Sequence, residues 1–210
     1  MKNVWKNIEK IVLVSSIPLS FIALIISIKS CSDSNEALEI SKKEFESQRL
    51  LVLQSNPSNM LPGFEFSSFD SNQKLQRLII ELPKNIYKEK IFVEPPDFHF
   101  SLTEIQDNLE VHIHKSLSED AKKNSLYIKS TQVPIIIKTN FIFAGESLWD
   151  TSVYNLEFSY QQDYLNNMGS NVDFKSLIFE NRLSNDDYEE MKDKLAIICE
   201  TNLRNSIKNY

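Results

Sequence analysis

Glycine is scarce in this chain, and the scarcity excludes several common enzyme classes. Only 3 glycines occur among 210 residues, Gly63, Gly145 and Gly169, and each is isolated. Phosphate-cradling loops, dinucleotide-binding turns and the nucleophile elbow of hydrolases need glycines at short, fixed spacing. The sequence therefore carries none of these enzyme signatures.

Cysteine and positive charge are also limited. The chain has 2 cysteines, Cys31 and Cys199, and 23 Lys+Arg against 29 Asp+Glu, which gives a net charge of -6. Two such distant cysteines do not establish a disulfide, and Cys199 lies in an apolar stretch where a buried, inert thiol is expected. Because nucleic-acid recognition needs a concentrated basic surface, we expect no nucleic-acid partner.

The chain does contain one long apolar run. Residues 11–28 read IVLVSSIPLSFIALIISI without a charge, between Lys10 and Lys29. As a helix this run would span about 27 Å, close to the roughly 30 Å of a bilayer core. It predicts a transmembrane helix after a tail of residues 1–10. The alternatives are a buried core helix and a cleaved signal peptide, for which a small-residue cleavage site is missing.

The charges beside this run predict its orientation. Lys2, Lys6 and Lys10 precede it, which favours the tail inside the cytoplasm and the carboxyl-terminal part outside. The glycosylation pattern Asn56-Pro57-Ser58 is blocked by its proline, which favours a bacterial inner membrane over a eukaryotic secretory route. Cys31 also suggests a lipoprotein cleavage box, but Lys29 stands where that box has a small or apolar residue, so lipidation is the less favoured alternative.

Residues 29–55 are predicted to form a helical stalk. Asp33 and Glu36 can form a capping pair, and Asn56-Pro57 would end the helix. Apolar residues recur every seven positions at Leu38, Phe45 and Val52. Because the other seam positions are polar, a solvated stalk is favoured over weak homo-oligomerisation through this repeat.

In residues 56–183, apolar and polar residues alternate with the two-residue period that is typical of strands. About seven strands are expected, including a short one within 90–94, so the predicted fold is mainly β, an antiparallel β-sandwich. The positions expected to face the core are Phe64, Phe66, Leu78, Ile80, Leu82, Phe98, Phe100, Leu102, Leu109, Val111, Ile113, Ile135, Ile137, Phe141, Phe143, Tyr154, Leu156, Phe158 and Tyr160.

A last helix is predicted over residues 184–210, packed on this domain. Ser184 would cap it, and acidic residues follow in its first turn. Its packing stripe comprises Tyr188, Met191, Leu195 and Ile198. The aromatic candidates for an interface patch are Trp149, Tyr154, Tyr160 and Tyr164, and the core is the favoured location for Tyr154 and Tyr160.

The order of these segments resembles that of a known group of proteins. One membrane helix, a stalk ending in Gln54-Ser55-Asn56-Pro57 and a β domain containing the strand pattern VPIIIKTNF over 133–141 resemble the uncharacterised single-pass membrane proteins common in bacterial genomes. The resemblance implies a module tethered to the cell envelope and assigns no catalytic residue.

The three histidines are the only candidates for a metal site. His99, His112 and His114 fall on polar-facing positions of two predicted strands, with Glu110 beside them. In a hairpin, three imidazoles and a carboxylate on one sheet face could bind Zn²⁺ and leave a position open for water. The opposing interpretation is a solvated sheet face that is simply polar.

Two functions are therefore weighed. The favoured hypothesis is a non-enzymatic, membrane-tethered interaction or scaffold module that needs no cofactor and engages an unidentified protein partner. The alternative is an envelope metalloenzyme or metal-binding protein that uses the histidine hairpin.

Overall fold

The computed structural model of this chain describes residues 24–43, 49–58, 62–116, 126–163 and 168–208. The chain divides into two compact units, Met1–Leu50 and Leu51–Tyr210. Each is described by itself.

The described part of the first unit is a helix, α1, over residues 24–43. Every residue in it is exposed, and the Ser34 hydroxyl donates back to the Ser30 carbonyl at 2.7 Å. The tail 1–10 and residues 11–23 of the predicted membrane span lie outside the described residues. Among those that are described, none of the helices combines the length and the apolar character needed to cross a bilayer.

The predicted stalk helix to Ser55 is wrong in its last part. Strand β1, Leu53–Pro57, pairs antiparallel with β2, Gly63–Ser68. Leu51 is buried immediately before β1, so tertiary contacts decide the conformation of a segment whose local pattern also suits a helix. Val52, the third residue of the proposed heptad, therefore lies outside a helix.

Two antiparallel sheets make up most of the second unit. The first has the order β1-β2-β5, where β5 is His99–Ser101. The second has the order β4-β3-β6-β7-β8. Its strands are β3 (Lys74–Glu81), β4 (Ile91–Val93), β6 (Leu126–Phe143), β7 (Glu146–Asp163) and β8 (Met168–Arg182).

The two longest strands form one hairpin. Strands β6 and β7 have 18 residues each and are joined by Ala144 and Gly145. Both linking residues have positive φ, 50° and 83°, as a two-residue turn that matches the twist of the flanking strands requires. The predicted core positions Ile135, Ile137 and Phe141 are buried, whereas Phe143 is only partly buried. Ile136, on the opposite face, is also buried, in a second core.

The strand predicted around Leu109 is wrong, because this segment belongs to helix α2, Thr103–Ser116. Ile105, Leu109 and Ile113 recur every four residues and are all buried. A two-residue and a four-residue period coincide at Leu109 and Ile113, which is why the sequence is ambiguous here. Val111 separates the two interpretations, because a strand would place it in the core and it is 53% exposed.

The carboxyl-terminal helix α3, Asn185–Lys208, agrees with the prediction. The Asp187 backbone N–H donates to the Ser184 hydroxyl at 3.2 Å, and this hydroxyl donates to the Asp187 carboxylate at 2.6 Å. Tyr188 and Leu195 pack with Ile136 and Val153 in a small second core. Residues 209–210 at the end of the predicted helix lie outside the described residues.

The main core joins the two sheets to α2 and to the end of α3. Phe64 and Phe100 come from the first sheet, Leu78 from the second, Ile113 from α2 and Cys199 from α3. A mainly β, antiparallel protein is confirmed, with eight strands and three helices within the described ranges.

Candidate functional site

The structure does not bring the three histidines to one face. His99 lies on β5, where its Nε2 is buried without a hydrogen-bond partner among the described residues. Its ring lies against Gly63, where an added Cβ would come within 2.8 Å of His99 Cε1. His112 and His114 lie on α2 and, two residues apart on a helix, point about 200° apart.

The histidine hairpin proposed from the sequence is therefore wrong. It requires two neighbouring strands with a common face, and the second predicted strand is a helix. Among the described residues, no three or more His, Cys, Asp or Glu side chains are grouped so that they could hold a metal ion. The structure thus leaves His99, His112 and His114 without a common metal site.

The surroundings of His112 indicate a structural role. Its Nε2 lies 3.4 Å from the Asn85 amide nitrogen. Burial lowers the pKa of His112 below its usual value, Lys115 lowers it further, and Glu200 partly opposes them. The neutral ring is favoured, so this residue joins α2 to the segment before β4 as a hydrogen-bonding group.

Glu110 and His114 line one groove along α2, with a volume of about 420 Å³. The Glu110 carboxylate accepts from the Ser170 hydroxyl at 2.5 Å and from the Gln106 amide at 3.2 Å. The Ser170 bond connects α2 to β8, the Gln106 bond lies within α2, and both engage the carboxylate.

A second candidate is the aromatic cleft, which is formed by Leu51, Val52, Leu53, Tyr154, Phe179 and Arg182. Its volume is about 210 Å³. The rings of Tyr154 and Phe179 meet edge to face with centroids 5.6 Å apart. The cleft thus combines an aromatic wall with the aliphatic side chains before and within β1.

A charged network supports the rim of the aromatic cleft. Arg182 Nε donates to Asp150 at 2.7 Å, and the guanidinium also donates to the Leu51 carbonyl. Burial raises the pKa of the Tyr154 phenol, and Asp150 raises it further, so the phenol stays protonated. Arg182 fixes the segment before β1 against β8, which makes the cleft a preformed feature.

The cleft is surrounded by exposed apolar side chains. Val52 and Phe179, which line it, are 55% and 48% exposed. The alternation in the sequence predicts no strand between 161 and 183, so it gives no signal for Phe179 or Arg182. Trp149, the aromatic expected at an interface, is 59% exposed, and Tyr164 lies outside the described residues.

A third feature, the lysine pocket, lies beside the amino-terminal half of α3. Its volume is about 250 Å³, and its lining residues are Glu81, Leu82, Lys84, Lys88, Glu89, Lys90, Lys192 and Leu195. Positive charge is thus concentrated here in a chain that is acidic as a whole.

Glu81, which lines the lysine pocket, is held in place by hydrogen bonds and an ion pair. The Tyr188 hydroxyl lies 2.9 and 3.0 Å from the two carboxylate oxygens, and Lys90 Nζ lies 3.0 Å from one of them. Burial raises the pKa of Glu81, but the bonds from Lys90 and Tyr188 and the charge of Lys138 outweigh it and leave the pKa below its usual value. Lys138 Nζ lies 3.3 Å from the centroid of the Tyr188 ring.

Comparison with known proteins finds no matching family model, no matching curated protein and no matching solved structure.

Proposed function

We propose that this chain is a single-pass, membrane-tethered protein-interaction module whose β domain is presented near the bilayer surface. The observation that carries the proposal is the uncharged run 11–28, which continues into the wholly exposed helix α1. Leu24, Ile25, Ile26 and Ile28 at the junction are 55–63% exposed. Lipid would cover such a surface.

The span is proposed to lie in a bacterial inner membrane, with the second unit outside the cytoplasm. The support is the lysine excess before residue 11. Beyond the run, residues 29–43 are helical and extend about 22 Å at about 1.5 Å per residue. Tethering would raise the local concentration of the domain for partners in the same membrane.

The presented domain is proposed to be a sandwich of the two sheets. Its support is the shared main core, in which Phe66 and Phe100 of the first sheet join Leu78 and Ile80 of the second. The rings of Phe66 and Phe100 lie 6.2 Å apart between centroids with an interplanar angle of 22°.

The aromatic cleft is the proposed contact for the protein partner. Its volume of about 210 Å³ and its aromatic wall suit one bulky apolar side chain of a partner. Interfaces commonly bury such an anchor in a pocket with apolar surface around it, and the exposed side chains of Val52 and Phe179 supply apolar surface here.

Prediction on tethering and orientation: in a bacterial host the full chain stays in the membrane pellet after alkaline carbonate extraction, whereas a chain starting at residue 29 is released. In intact spheroplasts, a membrane-impermeant maleimide labels the exposed Cys31 without lysis. Both results follow from a span that ends at Ile28 with Cys31 outside.

The other cysteine supplies an internal control. Cys199 is buried, and burial raises its pKa to about 12, so it should react only after denaturation. Cys31→Ser should therefore abolish labelling of the folded protein. Labelling of Cys31 only after lysis would reverse the orientation, and carbonate release of the full chain would refute the tether.

Prediction on the aromatic cleft: a photo-crosslinking residue at position 179, in the lining of the cleft, gives one discrete adduct in membranes, and Val52→Asp on the cleft rim abolishes it. A charge at this rim opposes entry of an apolar anchor. Electrophoresis of the irradiated membranes measures both results.

The matched control is Phe92, which is 58% exposed on β4, at the opposite edge of the five-stranded sheet from β8. A crosslinker at position 92 should give no such adduct, and Phe92→Asp should leave the adduct from position 179 unchanged. Equal adducts from both positions would mean that the cleft is not the contact.

A further inference from the structure

The lysine pocket holds more positive charge than its own carboxylates neutralise. Four lysines and two glutamates line it. Glu81 is already engaged by Tyr188 and Lys90, and the charge of Lys138 also acts on it. Lys192 is 4.0 Å from Glu189.

Two of these ammonium groups have no charged partner among the described residues. Within the ranges that the structure describes, neither Lys84 nor Lys88 forms an ion pair. Both are exposed, and their spacing of four residues spans the tight turn between β3 and β4. An anion in the pocket would therefore meet Lys84 and Lys88 without displacing an existing pair.

The turn that carries Lys84 and Lys88 is held in place. The backbone N–H groups of Ile86 and Tyr87 both donate to the Pro83 carbonyl, at 2.8 and 3.0 Å. Ile86 is buried in the main core between the two lysines. Because the backbone is already ordered, less entropy is lost when a ligand binds.

We infer that the lysine pocket binds a phosphate-bearing small group, with Lys84, Lys88 and Lys192 as its charge-pairing residues. Compact ammonium groups suit phosphate oxygens as point charges. Several lysines around a 250 Å³ volume match a multiply charged phosphate better than a single carboxylate. Leu82 and Leu195 in the lining give the carbon part of the ligand an apolar contact.

The proposed ligand is a phosphate ester. A soluble metabolite and a lipid headgroup can both supply this group. The inference does not depend on the aromatic cleft, because the two sites share no lining residue.

The test uses the full chain in a non-ionic detergent at constant ionic strength. Calorimetric titration with pyrophosphate, glycerol 3-phosphate and dibutanoyl phosphatidic acid below its micelle concentration should give saturable binding to at least one probe. Lys84→Gln with Lys88→Gln should weaken that binding about 100-fold, because each ammonium–phosphate interaction accounts for about tenfold in affinity. Both residues are exposed, so the melting temperature without ligand should not change.

Lys194→Gln is the matched control, because Lys194 pairs with Glu190 on α3 and does not line the pocket. It should bind as the unaltered chain does. Tighter binding of phosphatidic acid than of glycerol 3-phosphate assigns a lipid headgroup, and the reverse order assigns a soluble phosphate ester. Absence of saturable binding to all three probes, or equal weakening in the Lys194 control, overturns the inference.

Discussion

Phe100→Ala should lower the free energy of unfolding of the β domain by about 3 to 5 kcal/mol. Phe100 is fully buried on β5, in the core cluster that both sheets share. Because alanine lacks the ring, the free energy gained by burying the ring would be lost, and a cavity would remain beside Phe66. Urea unfolding of the full chain in a non-ionic detergent measures the change.

The control for Phe100 is another phenylalanine of the same domain. Phe69 is 70% exposed, so Phe69→Ala should change the free energy of unfolding by no more than about 0.5 kcal/mol. Comparable decreases in both variants would mean that β5 does not face the core.

Tyr188→Phe should lower the free energy of unfolding by about 1 to 3 kcal/mol, because it removes a hydroxyl that bonds to the buried Glu81 carboxylate. The ring and its packing on Ile136 remain, so the decrease measures the hydrogen bond rather than a cavity. Urea unfolding at neutral pH provides the value.

The pH dependence of Glu81 gives a second measurement of the same interaction. Its pKa is lowered from the ordinary 4.5, so folding favours the ionised form. The stabilisation is complete above about pH 4.5 and is lost as the pH falls through the lower folded-state pKa. Glu81→Gln should therefore cost stability at pH 7 and progressively less below about pH 4.5. If the loss of stability in Glu81→Gln does not change with pH, Glu81 contributes through its shape and not through its charge.

Much of the fold is predictable from local sequence, because burial of one sheet face imposes alternation directly on the strands. The core positions from Tyr154 to Tyr160 on β7 follow this rule, and all four predicted members are buried. The Ser184 cap is also local chemistry, since it requires only the serine and Asp187 three residues later.

The missed elements depend on contacts that a local pattern does not contain. β8 pairs with β7 through three irregularities, at Val153/Tyr154, Glu157/Phe158 and Gln162/Asp163. Each bulge shifts the phase of alternation, so no single two-residue period extends from Met168 to Arg182. β1 likewise has mostly polar residues and is ordered by its pairing with β2.

The candidate sites are the least predictable part of the molecule. The aromatic cleft joins Leu51 to Arg182, and the lysine pocket joins the β3–β4 turn to α3. No spacing in the sequence indicates that these segments meet. The histidine prediction fails for the opposite reason, because the histidine spacing fits a strand while the four-residue period of Ile105, Leu109 and Ile113 directs the backbone into a helix.

The hydrogen bond from Arg182 to the Leu51 carbonyl also affects how the domain would respond to tension along the chain. Leu51 is the first residue of the domain after the proposed tether, so tension along the chain would enter there. The Arg182 bond and the bond from the Phe69 N–H to the Val52 carbonyl, 2.9 Å, precede the β1–β2 ladder in the path of that force. Arg182 lies at the end of β8. The tension would therefore be transmitted to the five-stranded sheet before β1 separates from β2 in the three-stranded sheet.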